Sequence, residues 1–164
     1  MPELVLMRHG KAETHQHGMR DHDRALAPRG HANTRSQAML LRPDGNDLLL
    51  VSGARRTRET SQNLRGVWQE IGCAPLPTVS VMERGYLASA DTWIDLVSLV
   101  EDKYTRVWVI GHNPGISELV TVLTGDYVGM ATADIVRIDL DIEHWSHIST
   151  RCGTTLGHLP GRGA

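Results

Sequence analysis

The stretch "RVWVIGHNPGISELVTVLTG", residues 106–125, decides the fold class. Residues 106–111 have the apolar density of a central strand covered on both faces. A helix follows at once, with Pro114 as a suitable first-turn residue and Gly125 as its stop. A strand that passes straight into a helix is the repeating unit of a parallel α/β sheet.

Working outward, the same alternation recurs. "ELVLM" (3–7), "LLLVS" (48–52) and "TVSVM" (78–82) read as strands. A helix opens at Pro28 with Ala32, Ala38, Leu40 and Leu41 at roughly helical spacing. A second runs from Ala54 to Ile71 and buries Leu64, Val67, Trp68 and Ile71. A third spans 90–102 with Trp93, Leu96, Val97 and Val100 facing inward. "DIVRIDLD" (134–141) alternates as a later strand, with "HWSHIST" (144–150) as its candidate partner. The polar residues 10–27 read as a loop. The expected architecture is a three-layer α/β/α sandwich on a mostly parallel sheet. It forms one domain over residues 1–158, with 159–164 as a fraying tail.

Composition narrows the function. The chain has 164 residues and a formal net charge of -2, which gives no general attraction to nucleic acid or an anionic membrane. Cys73 and Cys152 make neither a disulfide framework nor a zinc knuckle. No signal peptide or membrane-spanning run is read, so a cytoplasmic protein is the expectation.

In open α/β sheets, ligands bind beyond the carboxyl ends of the strands. The first strand ends in Arg8-His9-Gly10, and the second in Ser52, followed by "GARRTRET". The third ends in Glu83-Arg84, and the central one in "GHNPG" (111–115). Singly, each reads as a polar strand end, a solvated helix face or a turn. Together they bring two histidines, several arginines and a carboxylate to one edge of the sheet. That set suits phosphoryl transfer. Arginine forks match phosphoryl oxygens, a neutral imidazole can attack phosphorus, and a carboxylic acid can protonate a leaving group. Gly10 would let the backbone pass close to a bound phosphate.

"LMRHGKAE", "DRALAPRGHANT", "VSGARRTRETS" and "VIGHNPGISELVTVLTG", in that order, resemble the histidine phosphatase superfamily. The G-H-N-P-G form and "YLASADTWIDLV" resemble its short SixA-like phosphohistidine phosphatases. The resemblance implies a phosphoglycerate mutase-like fold and a metal- and cofactor-independent phosphatase. His9 would be the nucleophile that becomes phosphorylated, and Arg8, Arg56 and His112 the phosphate pocket. Glu83 would be the general acid. Gly53 stands where the family often has Pro, and Thr57 and Glu59 where it has Ala and Gln. The expected substrate is phosphohistidine in a protein, with small phosphoesters as the alternative.

His15, His17, Asp21 and His22 approximate a metallo-hydrolase motif, with the Asp-His pair two residues too far along. A metal-dependent hydrolase is therefore a rival reading. A binding module with a dead site and a phosphoglycerate mutase are two others. The intact quartet argues against the first, and the short chain without an evident lid against the second.

Overall fold

The computed structural model describes residues 2–162. A six-stranded sheet comprises β1 (Glu3–Arg8), β2 (Asp47–Ser52), β3 (Thr78–Met82), β4 (Arg106–Gly111), β5 (Ile135–Leu140) and β6 (Gly153–Leu159). Its order is β3-β2-β4-β1-β5-β6. The first four strands run parallel, β5 lies antiparallel to β1, and β6 antiparallel to β5.

Strand alternation makes two cores, one on each face. Leu4, Leu6, Leu48, Leu50, Val107 and Val109 face α3 (Ala90–Ser98) and α4 (Gly115–Thr124). Val5, Met7, Leu49, Val51, Trp108 and Ile110 face α1 (Pro28–Leu40) and α2 (Arg55–Glu70). The three-layer sandwich is present as expected. On the α2 side Trp68 is fully buried, donates from Nε1 to Ala38 O and Leu41 O, and meets Trp108 edge-on at 5.2 Å.

Several expected details differ. "HWSHIST" does not pair with β5; Trp145–His147 is a single 3-10 turn. Trp145 turns into the core instead, with its Nε1 donating to Tyr104 O at 2.8 Å. The partner of β5 is β6, whose Thr, Gly and His residues give it no apolar face to read. The third helix stops at Ser98 rather than 102, and Asp102 leaves it to accept the Trp145 amide at 3.0 Å. The first helix buries Gly30, Thr34, Gln37 and Ala38, whereas Ala32 and Leu40 are exposed. That polar face is satisfied because Gln37 Nε2 donates to Ala133 O and Leu159 O. The region read as a tail begins inside β6, and the buried Gly161 donates its amide to Asp134 at 2.7 Å. Residues 163–164 lie outside the described residues.

Among the described residues, no helix is long and apolar enough to cross a membrane.

Candidate active site

Register brings the two histidines together. Arg8 pairs with Gly111 across β1 and β4, so His9 and His112 leave the sheet at the same level. The His9 amide continues the ladder to Gly111 O at 3.1 Å, and the two imidazole centroids lie 5.3 Å apart. Ser52 ends the neighbouring strand β2, and its hydroxyl lies 2.6 Å from His112 Nε2.

The hydrogen bonds set the His9 tautomer. Nδ1 lies 2.7 Å from Gly10 O, and a carbonyl only accepts, so Nδ1 carries the proton. The lone pair is therefore on Nε2, where it accepts from Arg56 Nε at 3.3 Å. Burial pushes the His9 pKa down to about 4, with the Arg56 and Arg8 charges adding to the shift against the Gly10 bond. Burial likewise pushes His112 down to about 3, helped by His9 and Arg56. Both imidazoles are neutral near pH 7. The Ser52 hydroxyl can donate to Nε2, which would put the His112 proton on Nδ1, and that buried nitrogen has no partner among the described residues. Buried Arg8 Nε is also unpartnered, while Arg8 Nη1 donates to Met130 O at 3.0 Å. Two buried nitrogens without partners, beside an imidazole whose lone pair is held by Arg56 Nε, are polar groups that an anion could satisfy.

Arg56 is buried and fixed by Asp21. Its Nη2 donates to Asp21 Oδ2 at 2.9 Å and its Nη1 to Asp21 O at 2.8 Å. The Tyr86 hydroxyl donates to the same carboxylate, and Arg24 Nη1 donates to Oδ1 at 3.0 Å. Burial alone would raise the Asp21 carboxyl, but the bonds from Tyr86, Arg24 and Arg56 outweigh it and hold it far below the usual range. On α2, Thr57 closes the first turn by donating to Ser52 O and Ala54 O. Thr60 accepts the Gly10 amide at 3.1 Å, and Glu59 the Leu26 amide at 2.8 Å. Gly10 has a structural reason of its own: a Cβ there would sit 2.8 Å from Gly30 O of the helix packed on it.

A pocket of about 230 Å³ opens over these groups. Arg8, His9, Arg56 and His112 all line it, with Lys11 and Arg24 adding charge. Glu83 does not line it. Its side chain is 73% exposed, lies 3.3 Å from His22 Nε2 and rests against Gly53, where a Cβ would meet the carboxylate. Glycine at 53 therefore leaves room for Glu83. Arg55 faces Glu59 at 3.4 Å and Arg58 donates to Gly53 O, so both serve the helix and the loop.

The metal-motif residues take other places. Asp21 is engaged by two arginines and a tyrosine, and His15 and His17 are exposed. Among the described residues, no three His, Cys, Asp or Glu side chains gather as a metal site. The sequence marks Asp21 only as a possible metal ligand, and Tyr86 only as the first residue of "YLASADTWIDLV", with no role assigned.

Known proteins match this chain at two levels. The profile of the histidine phosphatase superfamily (branch 1) matches residues 4–85. An uncharacterised protein of Mycobacterium tuberculosis, Rv1276c, is 32% identical over 168 residues, spanning 94% of this chain and 99% of that one. In fold, the chain is similar to SixA of Nakamurella multipartitia, with TM-score 0.79, 23% identity, and coverage of 96% of this chain and 95% of that one. It is also similar to the protein histidine phosphatase SixA complexed with tungstate, with TM-score 0.76, 21% identity and 97% of each chain covered.

Proposed function

The chain belongs to the histidine phosphatase superfamily, and from that premise we propose that it is a phosphatase working through a covalent phosphohistidine on His9. The carrying observation is a neutral, immobilised imidazole whose Nε2 holds the lone pair, accepts only from Arg56 Nε, and shares one pocket with Arg8, Arg56 and His112. In the first step, Nε2 attacks phosphorus and the bond to the leaving group breaks. Arg8, Arg56 and the His112 Nδ1 proton take up the charge on the equatorial oxygens. In the second step, water displaces Nε2 and releases inorganic phosphate. Asp21 touches no reacting atom; it positions Arg56.

Phosphohistidine in a protein is the substrate class we favour. Among the described residues, no carboxylic acid lines the pocket. An imidazole leaving a nitrogen–phosphorus bond needs less proton assistance than an alkoxide does, so turnover depends less on Glu83, which lies outside that lining. Small phosphoesters with good leaving groups are the second reading. SixA, whose fold this chain shares, carries the name protein histidine phosphatase, which supports the first.

The test compares a phosphohistidine peptide, an aryl phosphate and an alkyl phosphate. The first two are expected to turn over, and the alkyl ester to lag by orders of magnitude. His9→Ala is expected to abolish turnover and the acid-labile phosphoenzyme. Retention of both would remove His9 from the mechanism, and an alkyl ester matching the peptide would remove the phosphohistidine assignment.

A further inference from the structure

We propose that the substrate carries a second anionic group beside the transferable phosphoryl group, bound in a cationic subsite formed by Arg8, Lys11, Arg29 and Arg162. The proposal rests on the phosphatase reading and specifies the substrate of that same site. A second pocket, of about 250 Å³, adjoins the catalytic one. The two share Arg8, Lys11 and Thr132, and the second adds Arg29, Arg162 and Ala131. Four formal positive charges thus meet in a chain whose net charge is -2.

None of these four cations takes part in the ion pairs formed among the described residues at N–O distances up to 4.0 Å. Among the described residues, Arg20, Arg24, Arg35, Arg55, Arg56, Arg106 and Arg137 each face a carboxylate, whereas Arg42, Arg58, Arg65, Arg84 and Arg151 do not; what sets the four cations apart is that they line one pocket together. The acid that faces Arg8 is Asp134, and its oxygens already accept from the Ala131 and Gly161 amides and lie 3.0 Å from His158 Nε2.

The fold holds the cluster in place. Ala27 donates its amide to Lys11 O at 2.8 Å, and a Cβ at Gly30 would lie 2.2 Å from that same oxygen. The start of α1 is therefore pressed against Lys11, which sets Arg29 beside it. The Gly161 amide bond to Asp134 brings Arg162 to the rim. The first turn of α1 has no side-chain cap and no acidic residue, so its positive end is not offset locally. Like charges held together repel, and a bound anion relieves that repulsion. Arg8, lining both pockets, would sit between the phosphoryl group and the second anion. In a protein substrate the second group is an Asp or Glu beside the phosphorylated residue. In a small molecule it is a carboxylate or a further phosphate.

The experiment uses the full chain and two matched pairs. One pair is 3-carboxyphenyl phosphate against phenyl phosphate, and the other is a phosphohistidine peptide with Glu or Gln next to the phosphorylated residue. For each pair the ratio of kcat/KM values is compared between wild type and the double variant Arg29→Glu, Arg162→Glu. Comparing ratios cancels intrinsic leaving-group reactivity. The wild type is expected to prefer the carboxylated member, and the variant to lose about tenfold of that preference. The milder pair Arg29→Gln, Arg162→Gln should shift the ratio in the same direction, by less. A shift in the peptide pair assigns the subsite to a protein side chain, and a shift in the aryl pair alone assigns it to a small molecule. Unchanged ratios in both pairs, with turnover intact, overturn the subsite and leave the phosphatase reading standing. Wild type inactive on all four compounds overturns the phosphatase reading and the subsite with it.

Discussion

His9 and His112 are buried neutral, and that has a consequence for stability. In the unfolded chain each takes a proton near pH 6.5, whereas in the fold they resist until about pH 4 and about pH 3. As pH falls from about 6.5 towards 4, the unfolded state therefore binds protons that the folded state refuses, and stability drops. Above about 6.5 neither state is protonated and this contribution is flat. The expected loss approaches roughly 3 kcal/mol for His9 alone at the acid limit. Urea midpoints across this range measure it. The double variant His9→Asn, His112→Asn should flatten the slope, and an unchanged slope would show that other groups cause it. For catalysis, the same shift predicts that the acid limb of kcat/KM due to the nucleophile lies near pH 4 rather than 6.5.

At the scale of elements, the site depends on how α4 begins. A Cβ at Gly115 would lie 1.8 Å from Ala88 O, so α4 starts in direct backbone contact with the segment before α3. His112 O accepts the Ile116 amide at 2.9 Å, which couples the histidine to that first turn. Gly115→Ala is expected to cost about 2 kcal/mol or more and to lower kcat/KM together with the urea midpoint. A stable variant with full activity would show that α4 can shift without moving His112. The "GHNPG" turn was legible as a strand–helix connection with a histidine, but its closing glycine answers to Ala88, 27 residues upstream. The element boundaries that misled have the same origin. Trp145 left its expected strand because the core could bury the ring and bond its Nε1. The first helix could bury Thr34 and Gln37 because partners from other elements were waiting for them.

Across the whole molecule, the end of the sheet away from the site holds its own charge cluster. Glu3 accepts from Arg137 Nη2 and Nε, both at 2.9 Å, and lies 3.2 Å from Arg106 Nε. Burial alone would raise the Glu3 carboxyl, but the two arginines outweigh it and lower it. Arg106 also faces buried Asp47, which accepts from Trp108 Nε1 at 2.8 Å. Glu3→Ala removes a shared partner from Arg106 and Arg137 at the start of β1. The expected cost is about 1–3 kcal/mol in denaturant unfolding, with kcat/KM unaltered because the pocket lies at the other end of the strand. A large fall in kcat/KM with little loss of stability would mean that the two ends of β1 are coupled.

By itself, the sequence determined the alternation of strands and helices and the polar residues waiting at the strand ends. Those signals are local: apolar runs need burial, Pro and Gly punctuate helices, and in a parallel sheet the strand-to-helix turns share one edge. Tertiary structure alone decided the rest. The register of β1 against β4 set the spacing of His9 and His112. The fold of the 10–27 loop turned Asp21 onto Arg56 and set His22 beside Glu83, outside the pocket lining. The second cationic pocket draws on residues from 8 to 162. Contacts between residues so far apart have no periodicity to read, because they exist only once the layers have packed.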